Sequence, residues 1–170
     1  MRISIVGHSS SGKSTLARNI SERLNIPHLH LDRFWFEAGG AKLKSNDVES
    51  IKKARTYIKE KVTDFLKRED SWVSDGWYSN TVQPMISEQA NIILFLDIPL
   101  YRRLFNHLYR ISKTDRHKEL TKWEEFKFLY EIIRRTFLKD SKLRQFVYKH
   151  SDRVKTFRNY KEIEEYLNTL

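Results

Sequence analysis

Residues 7–15 read Gly7-His8-Ser9-Ser10-Ser11-Gly12-Lys13-Ser14-Thr15. The spacing G-x-x-x-x-G-K-S is that of a P-loop, and each fixed position answers to a bound phosphate. Gly7 and Gly12 permit backbone angles and a close approach that a side chain would block. The N–H groups between them can turn inward as a nest for an anion. A helix starting near Lys13 would aim its positive end at the same point. Lys13 can reach the β and γ phosphates, and Ser14 can offer its hydroxyl to Mg²⁺. The expected nucleotide contacts are therefore Gly7, Ser9, Ser10, Ser11, Gly12, Lys13, Ser14 and Thr15, with ATP and Mg²⁺ as the ligands.

The flanking residues supply the context this loop requires. Arg2-Ile3-Ser4-Ile5-Val6 before it is a β-branched run suited to a buried strand. Leu16, Ile20 and Leu24 after it recur every four residues on one helix face. Strand, glycine loop and helix is the arrangement in which the motif binds phosphate.

Further along, apolar runs alternate with helical patterns, which predicts βαβ units and a parallel sheet. Strands are expected at about 2–6, 28–31, 72–74, 91–96 and 153–157, good to about two to four residues. A helix over about 48–67 would bury Val48, Ile51, Ile58, Val62 and Phe65. Another from about Trp123 to Phe137 would bury Phe126, Leu129, Ile133 and Phe137. Asn159 can cap a last helix carrying Ile163, Tyr166 and Leu167. The expected architecture is a three-layer α/β/α P-loop fold with a five-stranded parallel sheet.

At 170 residues, with no Pro/Gly-rich linker, repeat or low-complexity tract, the expectation is one domain over 1–170. The P-loop interrupts the N-terminal apolar run, so no signal peptide is expected, and no stretch approaches a membrane span. The absence of cysteine excludes disulfides and thiolate metal sites and fits a cytoplasmic location. The formal net charge is +10, and residues 100–158 hold all of the excess, with 17 Lys/Arg against 7 Asp/Glu. Such a concentration points to an anionic partner, either small-molecule phosphates or weakly and non-specifically bound nucleic acid. A solvated basic helix face accounts for most of these lysines.

Phosphoryl transfer needs a phosphate cradle, a metal, positive charge around the transferred group and a positioned acceptor. In an open parallel sheet, ligands sit outside the carboxyl ends of the strands. Acidic residues are expected there at Asp32, Asp75 and Asp97. Asp75, followed by Gly76, is the first choice to hold Mg²⁺ with Ser14. Asp32 can accept a hydroxyl proton or help hold the metal. Phe34-Trp35-Phe36, read as a loop, either stack on a ligand or cover the sheet edge, and Trp77 and Tyr78 carry the same two readings. His28 and His30 share one face of their strand. No third ligand has a suggestive spacing, so hydrogen-bonded core or pocket histidines are the better account than a metal pair. The polar segment Lys113–Lys122 has the composition of a lid, placed at about 112–122.

With these residues in view, the chain resembles adenylate-kinase-like P-loop kinases, and more narrowly the small bacterial topology modulation proteins. The resemblance covers nearly the whole chain. It rests on the P-loop, on Leu31-Asp32-Arg33-Phe34-Trp35, on Asp75-Gly76-Trp77-Tyr78-Ser79 and on Phe95-Leu96-Asp97-Ile98-Pro99. It implies ATP and Mg²⁺ as ligands and a lid over the phosphates. Of the two lid-side arginines that follow the Asp-x-Pro of adenylate kinases, Arg110 matches and Asn106 stands in place of the other. Arg102 and Arg103 are neighbours that could compensate. Trp77-Tyr78-Ser79 lacks the arginine that grips a nucleoside monophosphate in those enzymes. The catalytic set implied is Lys13, Asp32, Arg110 and Arg116. The primary expectation is phosphoryl transfer from ATP to a small-molecule acceptor, with a nucleoside or nucleotide among the candidates. The alternative is a nucleotide-dependent nucleic-acid-binding (DNA topology modulation) protein. A nucleotide binder without catalysis is a third reading, supported only by Asn106.

Overall fold

A computed structural model of the chain describes residues 1–40, 47–78, 81–113 and 122–170. The elements run β1 (Arg2–Gly7), α1 (Lys13–Leu24), β2 (His28–His30), α2 (Leu31–Glu37), α3 (Val48–Arg68) and β3 (Trp72–Asp75). They continue with α4 (Gln83–Gln89), β4 (Ile92–Leu96), α5 (Leu100–Lys113), α6 (Lys122–Lys149), β5 (Val154–Phe157) and α7 (Tyr160–Leu167).

All five strands pair in parallel, in the order β2-β3-β1-β4-β5. The most uniformly apolar strands, β1 and β4, lie inside the sheet, where both faces are covered. The chain winds from β1 to one side through β2 and β3, then to the other through β4 and β5. The reversal leaves a crevice at the carboxyl end of β1, where the P-loop emerges.

Strand alternation sorts the core into two layers. Ile3, Ile5, Val73, Leu94 and Leu96 pack on one face with Leu16, Ala17 and Ile20 of α1 and Ile163, Tyr166 and Leu167 of α7. Val6, Leu29, Trp72, Ile93 and Phe95 pack on the other with Ile58, Val62 and Leu66 of α3, Ile86 of α4 and Leu143 of α6. The expected three-layer architecture and all five strands are present.

Three differences have identifiable causes. Residues 31–37 form a helix, not a strand end and loop, so Asp32 sits in a first helical turn, where a carboxylate complements the helix dipole. Aromatic residues are weak helix formers, but packing of Phe34 and Trp35 against the core outweighs that preference. The buried seam of α3 runs through Ala54, Ile58, Val62 and Leu66. Val48 lies about 120° around the helix from Ala54 and is 72% exposed, contrary to expectation. Helix α6 continues twelve residues beyond Phe137 to Lys149, through the polar run Lys139-Asp140-Ser141-Lys142, because Leu143, Phe146 and Val147 resume contact with the sheet.

Candidate active site

The P-loop follows β1 directly. Gly7 has φ +152°, and a Cβ on it would stand 2.8 Å from the Leu96 carbonyl oxygen of β4, so the loop leaves the sheet where only glycine fits. Lys13 Nζ donates to the His8 carbonyl at 2.7 Å, which draws the ammonium back over the loop. The hydroxyls of Ser10 and Ser11 are buried with no hydrogen-bond partner among the described residues. A buried hydroxyl left unsatisfied costs about 1–3 kcal/mol, so these two mark a loop built to be completed by something else.

On the lateral side of the loop, the Ser14 hydroxyl donates to Asp75 Oδ2. Asp75 ends β3 and is 1% exposed. Its other oxygen, Oδ1, is met by His28 Nε2 and His30 Nδ1, each at 2.8 Å. Burial by itself would push the Asp75 carboxyl up. The bonds from His28, His30 and Ser14 outweigh burial and hold it well below the usual carboxylate range. Conversely, the bond to Asp75 raises His30 above the ordinary imidazole value, with burial opposing and the Asp32 charge assisting.

His28 and His30 are hydrogen-bonded pocket histidines, as the sequence reading favoured, and they share one partner. Register sets that partner beside them: β2 pairs with β3 so that His28 lies opposite Val73 and His30 opposite Asp75. The three side chains converge on the α1 side of the sheet.

Asp32, in the first turn of α2, accepts a hydrogen bond from the Tyr78 hydroxyl at 2.9 Å. Tyr78 follows Asp75 by three residues, so the β3–α4 connection braces both acids. The aromatic residues serve mainly as packing. Phe34, Trp35, Trp77 and Tyr78 lean on the core, with Trp77 edge-on to Phe146 at 4.9 Å between centroids. Phe36 is exposed. Asp97 does not join the other two acids. Its side chain faces Arg144 of α6 at 3.6 Å, and its N–H donates to the Phe157 carbonyl.

The basic candidates fare differently. Arg103 is 3% exposed and ties α5 internally, donating to the Ile98 carbonyl at 2.9 Å and to the Thr136 hydroxyl of α6 at 3.0 Å. That geometry makes it a structural arginine rather than a replacement phosphate clamp. Asn106 is half-buried at the loop itself. Its amide donates to the Ser10 carbonyl at 3.0 Å and contacts the Tyr160 hydroxyl at the start of α7. Arg116, most of the expected lid and the side chain of Arg110 lie outside the described residues.

A nucleotide with a divalent ion fits this arrangement. Gly7 and Ser9 through Thr15 would form the cradle, Lys13 and the start of α1 would supply positive charge, and Ser14 and Asp75, joined by a hydrogen bond, would offer oxygen ligands. His28, His30, Tyr78 and Asn106 are the residues that motif spacing does not assign to the site. The two histidines were visible as a same-face pair, but their partner lies 45 residues away from His30 and is found only through strand pairing.

No protein-family model matches the chain, and no curated protein matches it in sequence. Among solved structures it is similar to shikimate kinase from Bacteroides thetaiotaomicron, with a TM-score of 0.61 and 18% identity over 99% of this chain and 95% of that one. It is also similar to shikimate kinase from Acinetobacter baumannii in complex with shikimate, with a TM-score of 0.59 and 19% identity over 99% and 91% of the two chains. The chain thus has the P-loop α/β fold of these two structures, and the likeness extends over nearly its whole length.

Proposed function

We propose that the protein is an ATP- and Mg²⁺-dependent phosphotransferase acting on a small-molecule acceptor. The observation that carries this reading is the hydrogen bond between Ser14 of the P-loop and Asp75 at the end of β3. It brings a hydroxyl and a carboxylate oxygen from separate elements to the mouth of the phosphate cradle, the pair of ligands that a nucleotide-bound Mg²⁺ takes in P-loop enzymes.

Mg·ATP, when bound, supplies the phosphoryl group and neutralises part of its charge. Ser14 and Asp75 hold the ion. Lys13, which donates to the His8 carbonyl, would donate to the phosphates of a bound nucleotide, a stronger ion-to-ion hydrogen bond. Asp32 is the group that orients an acceptor hydroxyl and takes its proton, and the hydrogen bond it accepts from the Tyr78 hydroxyl holds that carboxylate. The resemblance to adenylate-kinase-like enzymes assigns Arg110 and Arg116 as the cations that would stabilise the transferred group. Asn106 ties α5 to the loop through the Ser10 carbonyl.

The test is ATP consumption by the purified protein against a panel of nucleosides, nucleotides, sugars, vitamins and shikimate, with ATP alone as background. Shikimate belongs in the panel because the solved fold neighbours are shikimate kinases. Turnover that rises with one acceptor class and requires Lys13 and Asp32 is the expected result. ATP turnover that no small acceptor stimulates, but that a polynucleotide does, would replace this reading with the nucleic-acid alternative.

A further inference from the structure

We infer that His28, His30 and Asp75 form a three-donor site for a borderline transition-metal dication such as Zn²⁺ or Co²⁺, loaded without nucleotide. His28 Nε2 and His30 Nδ1 both lie 2.8 Å from the same oxygen of Asp75. The three ligand atoms all fall within 4.8 Å of one another, the spacing of groups that can share one ion. The arrangement comes from the fold itself. Alternation puts His28 and His30 on one face of β2, and the parallel register sets Asp75 beside them on β3.

Two imidazole nitrogens and one carboxylate oxygen are the donors that Zn²⁺, Co²⁺ and their neighbours select, whereas Mg²⁺ takes an all-oxygen shell. Ligand atoms about 2.1 Å from a tetrahedral ion stand about 3.4 Å apart, so each 2.8 Å contact opens by roughly half an ångström on loading. The imidazole rings are tilted 36° to each other with centroids 5.6 Å apart, so they are not stacked face to face. Access is present as well: the His28 and His30 side chains are 21% and 38% exposed, while Asp75 anchors the cluster from the buried side. Ser14 occupies the other carboxylate oxygen, so the site abuts the phosphate cradle. The competing account is that the histidines serve only as hydrogen-bond partners for a buried carboxylate. It predicts no stoichiometric metal.

The inference stands independently of the kinase reading, and its test omits nucleotide. Untagged, metal-stripped protein is titrated with Co²⁺ and followed by visible d–d absorption, with thermal unfolding as the second readout. The expected result is saturable binding of one ion per chain, a rise in Tm on loading, and no displacement by excess Mg²⁺. His28→Gln and His30→Gln replace partly exposed side chains and should fold, which their metal-free melting curves verify. Each should weaken Co²⁺ binding by about a hundredfold and abolish the rise in Tm, since even supporting residues around metal sites typically account for about 10–100-fold. His8→Gln, in the P-loop, should leave Co²⁺ affinity unchanged. Absence of saturable binding overturns the inference. So does one-to-one binding that survives both His28→Gln and His30→Gln, because other histidines would then carry it.

Discussion

Lys13 and Asp75 are held in different ways, and their substitutions should separate. Lys13 donates to a carbonyl of its own loop and packs in neither core cluster. Lys13→Ala should leave thermal stability nearly unchanged and weaken ATP binding by about 10–100-fold, the equivalent of one charge-assisted hydrogen bond of about 1.5–3 kcal/mol. Calorimetric titration with ATP alongside a melting curve checks both halves. Asp75→Asn removes the charge beside Ser14 and should weaken the Mg²⁺ dependence of ATP binding. Asp32→Asn should leave Mg·ATP affinity in place and lower transfer by about 10²–10⁴-fold, the range for loss of a positioned base. Single-turnover rates compared with binding constants distinguish the two, and equal behaviour of both variants with wild type would make these acids structural. At this scale the P-loop was fully legible, because its chemistry lies in nine consecutive residues. The role of Arg103 was not, because its burial between α5 and α6 depends on how two helices pack.

Elements place these residues, and the junction of β2, α2 and β3 is the most constrained of them. Gly76 follows Asp75 with φ +125°, and a Cβ there would come within 2.9 Å of Leu31 Cβ at the start of α2. Gly76→Ala should therefore destabilise the protein by about 1–3 kcal/mol through strain and displacement, and it should disturb Asp75 and Asp32 together. Chemical denaturation measures the first effect, and a weakened Mg²⁺ dependence of ATP binding, as in Asp75→Asn, reports the second. A parallel case lies at α5. Position 106 reads in the sequence as a vacant half of an arginine clamp, yet the asparagine ties α5 to Ser10 of the P-loop and to Tyr160 of α7. Asn106→Arg should accordingly lower Tm instead of tightening ATP. Arg110→Ala should reduce turnover by up to about a thousandfold while affecting nucleotide affinity less. If Arg110→Ala matches wild type in both, the phosphate clamp lies elsewhere. Element types and strand boundaries were readable because hydrophobic period is local. Neighbour relations were not, since the β2–β3 register that unites His28, His30 and Asp75 is set by packing across the sheet.

Across the whole molecule, the question is whether the basic C-terminal third serves the active site or a separate anionic surface. Its 17 Lys/Arg against 7 Asp/Glu would support non-specific nucleic-acid binding on charge alone. Part of that charge is already committed. Arg103 is buried in internal hydrogen bonds, and Arg144 faces Asp97 at the end of β4. Among the described residues, no helix is long and apolar enough to cross a membrane. The balance favours a solvated basic face that raises the local potential for phosphate-bearing ligands over a dedicated polynucleotide groove. Binding to duplex DNA should therefore be weak at physiological salt, indifferent to sequence, and should fall steeply as salt rises, because displaced counterions drive it. Charge reversal at Lys139, Lys142 and Arg144 together should reduce that binding and flatten its salt slope, while ATP affinity changes little. The Arg144–Asp97 pair is partly exposed, with the charges 3.6 Å apart, and contributes about 0–1 kcal/mol, so its loss should not unfold the protein. Fluorescence anisotropy across a salt series, with random and structured DNA, measures all of this. Tight binding that selects one DNA structure at physiological salt, and disappears in the triple reversal, would shift the functional assignment from small-molecule phosphorylation to nucleotide-dependent action on nucleic acid.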